Sequence, residues 1–116
     1  EALAKSKNTV AAKLYETLGK EAIYGHLTRD FGFSHLVRSE VGADGRRYTD
    51  LALSPLALGQ LTHGVTLREL SSAYTVFPAD GVLRGARSYF SVRDRDGREI
   101  LSTESGEKRI FSWRVI

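Results

Sequence analysis

The feature that most constrains the fold is an apolar repeat near the start of the chain. Val10, Leu14 and Leu18 are spaced at intervals of four residues, with Ala11 and Tyr15 beside them, and are followed by Gly19. Residues at this spacing lie on one face of an α-helix, and glycine often ends a helix because it accepts a left-handed backbone. The sequence therefore predicts an amphipathic helix that ends at Gly19 and turns this face toward a core.

A second apolar repeat follows directly. Ile23, Leu27 and Phe31 have the same spacing and precede Gly32. Two helices joined by a short glycine connection form an αα-hairpin, in which the helices pack against each other. Gly25 disfavours the second helix by about 1 kcal/mol relative to alanine, a cost that tertiary packing can offset. We therefore predict an αα-hairpin that ends at Gly32.

Two polar residues, Ser6 and Asn8, precede the first helical repeat. Such side chains are common there because they can bond to the unpaired backbone N–H groups at the start of a helix. Helix capping is therefore one interpretation. A catalytic role is the other, since a hydroxyl and an amide can each donate and accept hydrogen bonds. Residues 1–32 are thus predicted to comprise a Ser-x-Asn loop and the αα-hairpin that positions it.

Residues 33–54 show no regular apolar period. Asp44-Gly45 indicates a turn, because glycine accepts a positive φ and aspartate bonds to the neighbouring backbone. We predict a loop, with a short hairpin as the alternative, and assign it no functional role.

Residues 55–81 are predicted to form a pair of helices. Ser54 and Pro55 suit the cap and the first turn of the first helix. Thr66 and Glu69 have the spacing of a capping box, which predicts the start of the second. The face of the second helix that we expect to be buried consists of Leu67, Leu70, Ala73, Tyr74 and Phe77.

The pattern then changes to the alternation typical of strands. Asp96-Gly97 lies between two such runs, which predicts a β-hairpin over residues 87–102. Residues 103–116 end in an apolar segment without a cap, and we expect this segment to be truncated. Apolar surface left uncovered in this way favours a homodimer or a swapped dimer. The predicted fold class is α+β and mainly helical, a single unit with one hairpin.

Composition argues against several classes of function. The chain has no Cys, and His26, His35 and His63 lack the spacing of metal ligands, so we predict no metal site. The net charge is +3, and acidic residues interrupt the arginine-rich part of the chain. We therefore expect no nucleic-acid partner. A small helical interaction module or nucleic-acid-binding module without catalysis is the alternative to the function given next.

Two stretches of the chain resemble one protein family. The first is Ala-Leu-Ala-Lys-Ser-Lys-Asn-Thr-Val-Ala at positions 2–11, and the second runs from Leu56 to Leu70 and on to Phe77. Both are similar, in the same order, to segments of the transpeptidase domain of penicillin-binding proteins, especially the bifunctional class A branch. The resemblance covers most of the chain. It implies part of a β-lactamase/transpeptidase-like fold, with a helical subdomain and one β-hairpin.

The resemblance implies acyl transfer in peptidoglycan synthesis. A serine outside this chain would attack D-Ala-D-Ala stem peptides, and β-lactams would intercept the same serine. Ser6 would join the proton relay at that serine, Asn8 would hold the amide of the substrate, and Lys7 would act as a spacer. The implied partners are therefore peptidoglycan stem peptides and β-lactams. The resemblance implies no cofactor, because neighbouring side chains would activate the nucleophile.

The resemblance also predicts what this chain lacks. In the family, the Ser-x-x-Lys motif of the nucleophile precedes Ser-x-Asn, and the Lys-Thr-Gly strand follows it. We expect both motifs to lie outside these 116 residues, so that the chain alone is inactive. The longer protein would be anchored in the membrane outside this segment. It would act on the extracytoplasmic face of the bacterial cell membrane, in the periplasm or cell envelope.

Overall fold

The computed structural model describes Glu1, residues 4–103 and residues 106–112. These residues contain four α-helices and three two-stranded antiparallel sheets, an α+β arrangement. The chain divides into two compact units, Glu1–Thr66 and Leu67–Ile116. Among the helices of the described ranges, none has the length and apolar character that a membrane crossing requires.

The first unit contains α1 (Asn8–Leu18), α2 (Lys20–Gly25), β1 (Glu40–Val41), β2 (Arg47–Tyr48) and α3 (Leu53–Leu58). Helix α1 packs against α2 and α3. Gly19 separates α1 from α2 with a φ of 80°, and its N–H donates to the carbonyl of Tyr15 at 2.9 Å. The predicted helix end at Gly19 is confirmed, because glycine accepts this positive φ without strain.

The apolar face predicted for α1 is not buried. Val10, Leu14 and Leu18 expose 39%, 56% and 61% of their surface. Helices α2 and α3 have six residues each and cover only part of the eleven-residue α1. Ala11 and Tyr15, which belong to the same predicted stripe, are half-buried. The prediction that the stripe faces a core was therefore wrong for Val10, Leu14 and Leu18 and holds in part at Ala11 and Tyr15.

The second predicted helix is α-helical only in its first half. Helix α2 ends at Gly25, and His26–Asp30 form a π-helical turn. There, the N–H of Phe31 donates to the carbonyl of His26, five residues back, at 3.2 Å. The hydroxyl of Thr28 donates at 2.8 Å to the carbonyl four residues before it and competes with the regular backbone ladder. The predicted second helix therefore extends nearly to Gly32, but its last part is π-helical instead of α-helical.

The core of the first unit lies in the segment predicted to be a loop. Leu36 and Val37 are buried, and Asp50 is fully buried. The hydroxyl of Tyr24 in α2 donates to the carbonyl of Leu36 at 3.1 Å, which ties this segment to the helices. Strands β1 and β2 pair as a short antiparallel hairpin around Gly45, the alternative left open by the sequence.

Helix α3 begins two residues earlier than predicted. Leu53 is its first residue, and Ala52 is its cap without a side-chain hydrogen bond. Ser54 therefore lies inside the helix, and its predicted capping role was wrong. Pro55 lies in the first turn, where the backbone N–H has no partner within the helix. Gly59 ends α3 in the left-handed conformation.

The second unit contains α4 (Leu67–Tyr74), β3 (Val82–Arg84), β4 (Ser91–Arg93), β5 (Glu99–Ser102) and β6 (Glu107–Arg109). Strands β4 and β5 form the hairpin whose turn contains Asp96-Gly97. Asp94 supports this turn, since its Oδ1 accepts hydrogen bonds from the N–H groups of Asp96 and Arg98 at 2.9 Å each. Strand β3 pairs with β6, which the sequence pattern did not predict.

The buried face of α4 differs from the predicted one. Leu67, Tyr74 and Phe77 expose 79%, 65% and 51% of their surface, whereas Ala73 and Val76 are buried. Within the described residues, α4 packs against β3 of a two-stranded sheet. The predicted stripe was therefore wrong except at Ala73.

The end of the chain is only partly described. Strand β6 and the residues up to 112 belong to the described ranges, but the predicted apolar end at Trp113, Val115 and Ile116 lies outside them. Ala2 and Leu3 of the first resembling stretch also lie outside the described residues. The predicted dimer stays a prediction.

Candidate active-site segment around Ser6 and Asn8

Ser6 and Asn8 lie at the entrance of α1. Lys7 is the cap residue, with φ −80° and ψ 99°, and Asn8 is the first residue of the helix. The cap makes no side-chain hydrogen bond. Within the described part of the chain, the exposed side chains of Ser6 and Asn8 have no hydrogen-bond partner. The capping interpretation of these two residues is therefore wrong.

The backbone of Ser6 is in an unusual conformation. Its φ is +49°, and Asp80 is the other non-glycine residue with positive φ in the described ranges. A non-glycine residue held in this region costs about 1–3 kcal/mol, and such residues cluster at functional sites. The strain therefore singles out Ser6 within the first unit.

A groove of about 570 Å³ opens beside Ser6 and Asn8. Its walls come from α1 and α3, which pack against each other. One end is polar and the remainder is largely apolar, with the lining formed by Glu1, Ser6, Lys7, Asn8, Val10, Ala11, Leu14, Ala57 and Leu58. The structure thus places both predicted site residues at the polar end of one groove.

This groove has the chemistry to hold and orient a ligand. The hydroxyl of Ser6 and the amide of Asn8 can each donate and accept hydrogen bonds, and Lys7 adds a positive charge. The carboxylate of Glu1 already pairs with Lys5. Among the described residues, no basic side chain lies within hydrogen-bonding distance of the Ser6 hydroxyl, so Ser6 lacks the activation that a nucleophile needs. The arrangement can therefore hold a polar ligand through hydrogen bonds.

Asp50 is a polar centre that sequence reasoning missed. Its Oδ2 accepts a hydrogen bond from the N–H of Val37 at 2.7 Å, and its Oδ1 accepts from both the N–H and the hydroxyl of Thr62 at 2.8 Å. Burial raises the pKa of Asp50, but the hydrogen bonds from Val37 and Thr62 and the charge of His63 outweigh it and lower the pKa below 3.8. Helix α3 lies between Asp50 and Thr62 in the chain. This carboxylate therefore fixes the segment that forms one wall of the groove.

Each of the three histidines contacts a polar side chain within the first unit. His26 Nδ1 lies 2.6 Å from Asp30 Oδ2, and His63 Nε2 lies 2.9 Å from Glu40 Oε1. His35 Nδ1 lies 2.9 Å from the hydroxyl of Ser34. Across the described ranges, no group of three or more His, Asp or Glu side chains could hold a metal ion.

One tetrapeptide contradicts the prediction that the chain has no Ser-x-x-Lys. Ser105-Gly106-Glu107-Lys108 fits that pattern. It follows Ser6 and Asn8 in the chain, whereas the nucleophile motif of the family precedes them. Lys108 lies in β6 opposite Leu83, and Ser105 lies outside the described residues. The order in the chain argues against Ser105 as the nucleophile, and any test of acylation has to control for it.

Comparison with known proteins supports one relation. The chain is 28% identical over 112 residues to penicillin-binding protein 1A of Clostridium botulinum and 27% identical over 114 residues to penicillin-binding protein 4 of Bacillus subtilis. These matches cover 97% and 98% of this chain but only 12% and 16% of the relatives. No protein-family model matches the chain. At this low identity, the matches support a relation between this chain and a segment of the penicillin-binding proteins.

Proposed function

We propose that this chain is a segment of a serine D,D-transpeptidase that binds penicillin and cross-links peptidoglycan. The observation that carries the proposal is the placement of Ser6 and Asn8, with their unpartnered polar groups, at the polar end of the groove. The strained backbone of Ser6 and the relation to penicillin-binding proteins support it. In this proposal the two units form part of a transpeptidase-like fold of the class A type.

The proposed reaction is acyl transfer from D-Ala-D-Ala. A serine from another segment attacks the peptide carbonyl, the terminal D-Ala leaves, and the acyl group passes to the amine of a neighbouring stem peptide. Ser6 relays the proton, because a hydroxyl can accept and donate at the same time. Asn8 holds the peptide amide through hydrogen bonds, and Lys7 spaces the two side chains. We place this reaction on the extracytoplasmic face of the bacterial cell membrane.

The decisive test is acylation by a fluorescent penicillin in a longer protein that contains this chain after a nucleophilic serine. Asn8→Ala should slow acylation by about one to three powers of ten, as expected for one oriented hydrogen bond in a site. Ser6→Ala should slow it by about 10² to 10⁴, the usual size of general acid–base catalysis.

Thr9→Ala is the matched control, because it removes a neighbouring exposed hydroxyl that does not line the groove. Its acylation rate should stay normal. Asn8→Ala should change the free energy of unfolding by less than about 0.5 kcal/mol, since alanine is the better helix former. A folded Asn8→Ala protein that is acylated at the normal rate would overturn the proposal.

The 116-residue chain alone should not react with penicillin. No basic group of the described residues lies within hydrogen-bonding distance of the Ser6 hydroxyl. The measurement is the mass of the denatured protein after incubation with the drug, and the expected mass is that of the unmodified chain. Ser105→Ala is measured in parallel. A stoichiometric adduct contradicts the prediction, and its loss in Ser105→Ala would identify Ser105 as the nucleophile.

A further inference from the structure

The second unit contains a pocket that the proposed transpeptidase function does not use. Its volume is about 470 Å³, and it lies where the start of α4 meets the segment before β4 and the residue after β5. Its lining comprises Arg68, Ala86, Arg87, Ser88, Tyr89 and Thr103. Two of these side chains carry guanidinium groups and three carry hydroxyls, whereas none is acidic.

Contacts within the second unit hold the walls of this pocket. Arg68 Nη2 donates to the carbonyl of Ala86 at 3.1 Å. The guanidinium of Arg87 lies 4.0 Å above the centre of the Phe90 ring. The N–H of Thr103 donates to the carbonyl of Phe90 at 3.0 Å. The cationic groups and the threonine are therefore attached to the same short stretch of backbone.

No carboxylate among the described residues neutralises the positive charge of the pocket. In the same unit, Arg84 pairs with Glu107 at 2.8 Å and Arg93 with Glu99 at 3.8 Å. Arg68 and Arg87 form no such pair with a carboxylate of the described residues. A carbonyl and an aromatic ring orient a guanidinium without cancelling its charge. The pocket therefore attracts an anion.

A buried hydroxyl without a partner lies in the same lining. The Oγ1 atom of Thr103 is inaccessible to solvent and has no hydrogen-bond partner within the described part of the protein. Buried polar atoms are rarely left unpaired, because each loses its bonds to water without compensation. Rotation of the Thr103 side chain about χ1 would turn this hydroxyl into the pocket, where an oxygen atom of a ligand would supply the missing partner.

We propose that this pocket binds an oxyanion, a carboxylate or phosphate group. Arg68 and Arg87 supply the charge, since guanidinium groups match the planar or forked oxygens of both anions. After rotation about χ1, the hydroxyl of Thr103 donates a hydrogen bond to an oxygen of the ligand. This site is independent of Ser6 and Asn8, so the transpeptidase proposal can fail without affecting it.

The test is titration of the 116-residue chain with inorganic phosphate and, separately, with succinate, followed through the backbone amide signals by NMR. Ionic strength is held constant because salt screens exposed charges. Both the amide of Thr103 and the amides of residues 86–89 should shift along one saturable curve. Saturation with only one probe identifies the type of anion, and saturation with both supports the shared chemistry.

Three variants test the assigned groups. Arg68→Gln, Arg87→Gln and Thr103→Val should each weaken binding by about tenfold, the size expected for one hydrogen bond to a charged partner. Arg95→Gln is the matched control, because it removes the same charge from a side chain that is 93% exposed in the hairpin turn. It should leave the dissociation constant unchanged.

Stability separates binding from a purely structural role of Thr103. Thr103→Val removes an unpaired hydroxyl at nearly constant shape, so its melting temperature should not fall even though binding weakens. The proposal is overturned if neither anion gives a saturable shift. It is also overturned if Arg95→Gln weakens binding as much as Arg68→Gln and Arg87→Gln do, since the attraction would then be unspecific.

Discussion

Two polar centres of the first unit differ in burial and in hydrogen bonding. Asp50 is fully buried and accepts hydrogen bonds from three donor groups. Ser6 and Asn8 are exposed and have no partner among the described residues. A buried polar group has to be paired within the protein, whereas an exposed one can exchange water for a ligand. The difference separates a carboxylate that builds the fold from side chains that remain available for binding.

The two centres are connected through α3. Asp50 accepts hydrogen bonds from Val37, which precedes this helix in the chain, and from Thr62, which follows it. Ala57 and Leu58 of α3 line the groove next to Asn8. A binding site needs rigid support behind the side chains that touch the ligand. We therefore infer that Asp50 supports the wall against which Ser6 and Asn8 would hold a substrate.

The largest effect on stability is expected for Asp50→Ala. The substitution leaves the donors of Val37 and Thr62 without their acceptor, and each buried unpaired group costs about 1–3 kcal/mol. We expect the free energy of unfolding in urea to fall by about 3 kcal/mol or more. Asp44→Ala is the control from the same segment, since Asp44 also accepts hydrogen bonds but is exposed. Equal losses in the two variants would contradict the contrast between buried and exposed polar groups.

The lowered pKa of Asp50 makes part of this stability dependent on pH. Burial raises this pKa, but the hydrogen bonds from Val37 and Thr62 lower it below 3.8. As the pH falls, Asp50 takes up a proton in the unfolded chain before it does so in the folded protein, because its pKa is lower in the folded state. The stability that Asp50 contributes is therefore fully present above pH 3.8 and is lost as the pH falls through the pKa of the folded state. The stability difference between the wild type and Asp50→Asn should therefore be constant near neutral pH and shrink below 3.8. A difference that is the same on both sides of that pH would contradict the assignment.

Local chemistry made some elements predictable. Gly19 ends α1 through its own positive φ, and the turn at Asp96-Gly97 depends on residues within four positions of Asp94. Such features are visible in the sequence because every group that determines them is close in the chain. The periodicity of α1 and α4 was also readable. The sequence does not show which element covers an apolar face, and the faces predicted to be buried are largely exposed.

Contacts between distant residues were not predictable. Asp50 joins Val37 and Thr62, which lie 13 and 12 positions away. Strand β3 pairs with β6, and Gly81 next to β3 lies so close to the backbone of Phe111 that a Cβ atom would clash. A lone aspartate before the apolar residues 51–53 was the only local signal for the buried carboxylate. For the site, a family resemblance identified Ser6 and Asn8, but neither the strained φ nor the groove could be inferred from the sequence.

The smallest expected effect concerns the strain at Ser6. Ser6→Gly should raise the free energy of unfolding by about 0.5–1 kcal/mol, because glycine accepts the φ of +49° and the relief exceeds the added flexibility of the unfolded chain. Ser54→Gly is the matched control, since Ser54 is exposed and helical in α3, where glycine should cost about 0.5–1 kcal/mol. In urea unfolding, the change from serine to glycine is thus expected to raise the free energy of unfolding at Ser6 and to lower it at Ser54. In the longer protein, Ser6→Gly should also slow acylation, because the relay hydroxyl is lost. A loss of stability at both positions would show that Ser6 is not strained and would remove the backbone observation that distinguishes it from an ordinary surface serine.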